Sequence, residues 1–406
     1  MTNWEEQKFG DLYLIPSRNG LTRPSSVRGA GYKFINMGEI FSYNRIGNIE
    51  TELVQLNEKE KKEMTLQKND LLFARQSLVF SGAGKCSIML DVEDVVSFES
   101  HLIRVRLNPE IANPMFYYYY FSLPYNSVKT IVQQCAQAGI RGSDLEKIKV
   151  PCPHIEIQNQ IADILSTYDD LIEANNRRIE LLEQTAQELY KEWFVRFRFP
   201  GYETAKFENG LPSEWERKRL GDMIVFNPTI TAKGATIFRS IPMAALSTNN
   251  MVIDEAQITS TDTLSGSRSQ NLDTLLARIT PCLENGKTGF VFGLKEHEVA
   301  GGSTEFIVMR SKTLTPYFVY FLARSDTFRE YAINSMNGAD GRQRVKVDRL
   351  EKLWWLQPPQ KLLEQSDCKV KGSFDLIHAL THQNQNLATQ RDLLLPRLMS
   401  GKLEVN

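Results

Sequence analysis

WEEQKFGD at residues 4–11 and WERKRLGD at residues 215–222 are two copies of one opening. The same order of motifs then runs through both halves of the chain. DLLFAR (70–75) answers DTLLAR (273–278), Gly84-Lys85 answers Gly286-Lys287, and NPMFYYYYFSL from residue 113 answers TPYFVYFLARS from residue 315. Leu145-Glu146-Lys147 answers Leu350-Glu351-Lys352, and Pro151 and Pro153 answer Pro358 and Pro359. So many matches in one order over 406 residues point to an internal duplication, which sets the architecture before any local reading.

Each copy has one plan. A strand-rich module comes first (1–153 and 200–359), with β-branched and aromatic runs at 92–106 and 290–299 between Gly, Asn and Pro breakers. A helical segment follows (154–199 and 360–406). No Gly or Pro interrupts residues 155–197, whereas Gly372 lies inside the second segment and Pro396 is expected to limit it. Ser366, Ser373 and Arg391 also weaken the second segment, so a late start or a kink is expected there.

The helical segments carry a heptad pattern. Leu165, Ile172, Ile179, Ala186 and Trp193 form one row, and Tyr168, Asn175, Leu182 and Leu189 the other. The second segment offers Ile377, Asn384 and Arg391 with Leu380, Leu387 and Leu394. A helix of roughly 40 residues is about 60 Å long, more than one small module covers, so the seams are expected to meet each other. An antiparallel arrangement centred near Arg177 sets Leu182 against Ile377, Ile179 against Leu380, Ile172 against Leu387 and Leu165 against Leu394. It also sets Asn175 against Asn384, two polar groups that fix register. The expected fold is α+β: two pseudo-repeated strand-rich α/β modules separated by two long helices forming an antiparallel coiled coil.

Catalytic signatures fail on inspection. GAGKCS (82–87) and ENGKTG (284–289) lack the first glycine of a phosphate-binding P-loop, and read instead as hairpin turns with an exposed lysine. His378 and His382, at i, i+4, have no glutamate between them as a zinc protease would, and read as a solvated face. QPPQ and NPTI are incomplete fragments of the adenine-methyltransferase motif, with no glycine-rich turn for a methyl donor before them. The five cysteines (Cys86, Cys135, Cys152, Cys282, Cys368) form no CxxC pair, which predicts no disulfide framework, no metal site and a reducing compartment. The first residues lack a basic region leading into an apolar one, and no apolar run approaches a membrane span, so a cytoplasmic protein is expected.

Binding surface remains. Between residues 12 and 38 lie Arg18, Arg23, Arg28 and Lys33 with no acidic residue before the last glycine, a composition read as a phosphate-contacting loop. GIRGSD (139–144) and GADGRQR (338–344) precede the closing strand of each copy. Their Arg141, Ser143, Arg342 and Gln343 carry groups able to read base edges, and Arg344 and Lys346 extend the second cluster. The repeated Arg75 and Arg278, and the repeated Lys85 and Lys287, complete the candidate set. A net charge of −1 argues against a uniform basic footprint, so any DNA contact is local.

The order module, helix, module, helix resembles the specificity subunit of type I restriction–modification enzymes. The resemblance is carried by QNQIADILSTYDDLIEANNRRIELLEQTAQELYKEWFVRFRFPG (158–201), RDLLLPRLMSGKLEV (391–405), the openings, and the closings LEKIKVPCP and LEKLWWLQPP. It implies two target-recognition domains that read the halves of an asymmetric bipartite double-stranded DNA site. It also implies paired helices that set the spacing and dock two methyltransferase subunits and, through them, restriction/motor subunits. S-adenosylmethionine, ATP and Mg would belong to those partners; this chain is expected to bind no cofactor, metal or small-molecule substrate and to catalyse nothing itself. The alternatives are a recognition subunit of a differently arranged methylase or nuclease system, and a non-catalytic coiled-coil scaffold.

Overall fold

The computed structural model describes residues 4–91, 93–134, 138–232, 237–336 and 343–405, and the fold is mixed α/β. Its contacts divide the chain into two units, Met1–Leu171 with Leu387–Asn406, and Ile172–Asn386.

The first unit closes where its opening and closing motifs meet. Glu6–Lys8 pairs antiparallel with Lys149–Pro151, Gln7 opposite Val150. The main sheet runs in the order Tyr13–Asn19, Leu102–Leu107, Leu71–Ala74, Cys86–Met89, Arg45–Ile46. Leu71–Ala74 is buried along its whole length, as a central strand covered on both faces must be. A second sheet pairs Arg28–Ile35 antiparallel with Glu52–Val54 and parallel with Val96–Phe98. The β-prone run FYYYYF is nevertheless helical (Pro114–Ser122). Asn113 Oδ1 accepts from the Met115 and Phe116 amides at 2.8 and 3.2 Å, and Pro114 needs no amide partner at the first helical position. Phe121 of this helix packs edge to face on Phe9 and Phe73, which meet each other in the same way. Leu398 and Met399 enter the same core as Ile161 and Leu165.

The second unit closes in the same way, Glu216–Arg219 against Trp354–Gln357 with Arg217 opposite Leu356. Its main sheet runs Ile224–Phe226, Phe306–Ser311, Thr274–Ala277, Thr288–Phe290. Its second sheet sets Phe238–Ile241 parallel to Ala300–Gly302, with Thr259–Thr261 and Ser267–Ser269 at the edges. The aromatic run at 290–299 therefore forms no strand beyond Phe290; the strand begins at Ala300, after the turn at Gly293. Thr315 caps the helix Pro316–Arg324. Tyr190, Phe194, Phe318, Phe321 and Phe374 build the core around that helix.

One buried ion pair recurs. Asp70, fully buried at the head of DLLFAR, accepts two hydrogen bonds from Arg106 at 2.6 and 2.7 Å and one from the Gln67 amide. Asp273, at the head of DTLLAR, does the same with Arg310 at 2.8 and 2.7 Å and the Gln270 amide.

The first long helix is Ile155–Tyr190, and it widens into a π turn at Lys191–Val195 instead of remaining α-helical to residue 197. That turn buries both Trp193 and Phe194 in the core of the second unit. The second helix, Gln360–Met399, neither starts late nor stops at Pro396, which lies inside it. Burial of Leu398 and Met399 holds the last turn against the lost backbone hydrogen bond, tertiary packing overriding propensity.

Asp367 on the second helix accepts a hydrogen bond from Thr315 at 2.7 Å, and burial pushes its carboxyl up from 3.8 to about 6. A raised acid holds its proton more tightly in the folded state, so its contribution to stability falls as pH rises from about 4 through about 6. Asp367→Asn keeps the acceptor and removes the charge. With solvent screening allowed for, the variant is expected to be about 1–2 kcal/mol more stable than the parent at pH 7.5. The gain should shrink toward zero near pH 4; a gain that does not change between those pH values in urea titrations would refute the assignment.

Candidate nucleic-acid interface

The cationic segment 12–38 is not a loop, and its charges are not free. Arg18 lies on the strand Tyr13–Asn19, and Arg28 and Lys33 lie on Arg28–Ile35. Each of the four cations has a carboxylate partner: Arg18 with Glu63 at 2.8 Å, Arg23 with Glu60 at 2.6 Å, Arg28 with Glu52, and Lys33 with Asp94 at 2.9 Å. The Arg23 hydrogen bond holds the Glu60 carboxyl below its ordinary range, and Arg18 does the same to Glu63. Sequence reading missed this because the compensating acids lie 24 or more positions away along the chain. The signal was the charged run EKEKKE at 58–63.

The remaining candidates of the first unit come together. The strand ending in Ala74 delivers Arg75, whose carbonyl accepts from the Ile140 amide at 2.9 Å. Gly139 pairs with Gln76, so GIRGSD lies beside the end of DLLFAR. Arg141 and Ser143 are exposed, Ser143 in the short helix Gly142–Leu145. Gly84, at φ 73°, turns the chain into Lys85. Lys85 is half-buried rather than exposed: its ammonium donates to the Phe41 carbonyl at 3.1 Å and sits over the Phe41 ring, and burial draws its pKa down.

The second unit brings its own set together by the same backbone contacts. The Val345 amide donates to the Arg278 carbonyl at 2.9 Å, and the Thr280 amide to the Gln343 carbonyl at 3.2 Å. Gly286, at φ 77°, precedes Lys287, which donates to the Met243 carbonyl at 3.0 Å. Lys287 is therefore also tied to its own chain. Arg278 donates to the Val345 carbonyl at 2.8 Å, and Arg344 grips Glu305 through two nitrogens, holding that carboxyl below its usual range. Lys346 is exposed and forms no ion pair among the described residues. Arg342 lies outside the described residues.

The helix-seam candidates are all buried or half-buried. In the second unit Asn175 is fully buried and donates to Asn384 Oδ1 at 2.9 Å and to Gln383 at 3.0 Å, while Asn384 donates to Asn176 at 2.9 Å. Ile179, Ile377 and Leu380 share that unit's core, with Leu182 and Leu189 packed against it. In the first unit Leu394 packs on the core that contains Leu165, and the seam residue Arg391 is paired with Asp169. Ile172 and Leu387 are half-buried, each in its own unit. His378 is not on a solvated face: it is half-buried against the Phe292 ring at 4.7 Å, whereas His382 is exposed. Among the described residues no three His, Cys, Asp or Glu side chains gather as a metal group, and no helix is long and apolar enough to cross a membrane.

A mixed α/β chain whose two units each join a strand-ending arginine to a polar closing loop is the class these features define. Residues 1–184 match the family described as the type I restriction modification DNA specificity domain, and the chain is similar in sequence to type I restriction enzyme specificity subunits. It is 29% identical over 286 residues to the type I restriction enzyme MjaIX specificity subunit of Methanocaldococcus jannaschii, covering 66% of this chain and 63% of that one. It is 27% identical over 230 residues to the putative MjaX specificity subunit of the same organism, covering 54% and 52%. The chain thus spans between about half and two thirds of the length of these curated relatives. The S subunit of a type I restriction–modification system from M. genitalium shares the fold, with a TM-score of 0.54 at 13% identity, over 98% of this chain and 96% of that chain.

Proposed function

We propose that this chain is the DNA sequence-specificity subunit of a type I restriction–modification complex, reading an asymmetric bipartite site with one module per half. The observation that carries this reading is the repeated junction of strand end and closing loop, Arg75 with 139–141 and Arg278 with 343–345. Each junction presents forked or amide side chains of the kind that read base edges, on a framework rigid enough to hold them. The modules share that framework and differ in their loops, as the drifting offset indicates: 211 from Trp4 to Trp215, 203 from Asp70 to Asp273, 205 from Leu145 to Leu350. Unlike loops read unlike bases, hence the asymmetric site.

The domain limits 1–153, 154–199, 200–359 and 360–406 belong to this proposal, as do the duplication and the antiparallel coiled coil, which the Asn175–Asn384 contact supports. The helices would space the half-sites and dock two methyltransferase subunits, and through them restriction/motor subunits. The partners would supply S-adenosylmethionine, ATP and Mg chemistry, with no catalytic residue in this chain. Much of the phosphate affinity would also come from partner surfaces, consistent with a net charge of −1 and with the internally paired Arg18, Arg23, Arg28 and Lys33.

Mapping methylated adenines in cells with and without the gene tests the proposal. The expected result is a motif lost with the gene, made of two unlike blocks separated by unspecified bases, with centres about one helical turn (roughly 34–36 Å) apart. A palindromic or continuous motif, or no change, would sink it.

A further inference from the structure

The loop between Arg75 and Lys85 exposes three successive large apolar side chains, Leu78 at 87%, Val79 at 60% and Phe80 at 45%. Three large hydrophobic groups at one loop tip are not what a solvated surface needs. The backbone beneath them is fixed. Gln76–Ser77 pairs with Ala138–Gly139, and the Gly82 amide donates to the Val79 carbonyl at 3.1 Å. Lys129 clamps the Ser81 and Ala83 carbonyls at 2.9 and 3.1 Å. A Cβ at Gly82 would lie 2.3 Å from Ser77 Oγ, so the turn needs glycine there. The side chains therefore project from a preorganised turn.

The framework does not require this tip. In the second unit the segment between Arg278 and Lys287 buries Leu283, sets Glu284 beside it and exposes no large hydrophobic side chain. The segments that build and back the turn, residues 75–85 and 126–143, carry Arg75, Lys85, Lys129 and Arg141, and the next carboxylate along the chain, Asp144, is paired with Lys147. None of the four forms an ion pair among the described residues. An apolar point in a collar of cations is complementary to stacked bases between phosphates, not to a neutral or basic protein surface.

We propose that Leu78-Val79-Phe80 is a wedge that enters the DNA stack at the half-site read by the first unit, with the positive charge of Arg75, Lys85 and Lys129 beside the flanking phosphates. This rests on the DNA-reading function proposed above. Insertion would unstack one base step and make that half of the site sensitive to step flexibility.

The test uses the full chain with its methyltransferase partners and a 40-base-pair duplex carrying the methylated motif, with 2-aminopurine placed in turn along each half-site. Wild type is expected to raise the fluorescence several-fold at one step of one half only. The triple variant Leu78→Ser, Val79→Ser, Phe80→Ser should abolish that rise and weaken binding about 10-fold or more, and Leu78→Ser alone should do so in part. Because the tip is exposed, circular dichroism and the unfolding temperature should not change. Binding and fluorescence equal to wild type would overturn the wedge, as would weaker binding with no fluorescence rise in wild type. A triple variant that fails to co-purify with the methyltransferase but still binds DNA would assign the tip to a protein partner and equally overturn it. Failure of the wild-type complex to prefer the motif over random duplex would instead overturn the DNA-reading function itself.

Discussion

Asp273→Ala is expected to destabilise the second unit by about 3–5 kcal/mol, and Asp70→Ala the first by a similar amount. Each carboxylate is essentially unexposed, and each neutralises an arginine that remains largely within the sheet when the acid is removed. The loss is large because the guanidinium then keeps its desolvation cost without its partner, and the Gln67 or Gln270 amide loses its acceptor as well. Replacing both members, as in Asp273→Leu with Arg310→Leu, should recover most of the loss, since two apolar groups leave nothing unpaired. Urea unfolding read by hydrogen exchange on peptides of each unit separates the effects. A loss below about 1 kcal/mol, or one that spreads equally to the unit left unmutated, would count against the pair as a local structural element.

These aspartates show what the sequence made legible. The repeats DLLFAR and DTLLAR were visible as strings, yet their arginines attracted the functional reading and their aspartates none. Repetition marks framework as readily as function, and Asp70 and Asp273 are framework. The openings and closings were legible as boundaries, but that they pair as strands depends on contacts between residues 135 or more positions apart, which no local period reveals. The facing asparagines were legible because a heptad carries its register with it, and one assumed centre fixes every layer. The segment 12–38 misled because composition was counted over a contiguous window, while charge is balanced in space, by Glu52, Glu60, Glu63 and Asp94. Pro396 misled because a proline rule describes an isolated helix, and Leu398 and Met399 are not isolated.

Arg141 and Lys346 are the two exposed cations of the closing loops that have no carboxylate partner among the described residues, and they should fail differently. Arg141 sits at the entry of the helix Gly142–Leu145 on a loop tied to Arg75, and under the proposed function its guanidinium would make two parallel hydrogen bonds to a base edge. Arg141→Ala is then expected to weaken binding of the cognate duplex by about 1–3 kcal/mol, some 5- to 150-fold, and to make one position in one half of the methylated motif degenerate. Lys346, a flexible point charge ahead of the helix Val347–Glu351, is suited to a phosphate. Lys346→Ala should weaken all sequences alike, lower the salt dependence of binding by about one ion and leave the motif unchanged. Binding titrations at two salt concentrations, with the methylome of each variant, distinguish the two roles. If Arg141→Ala lowers affinity uniformly with no degenerate position, the closing loop of the first unit holds DNA without reading it. Base recognition in that half would then have to come from elsewhere in the module.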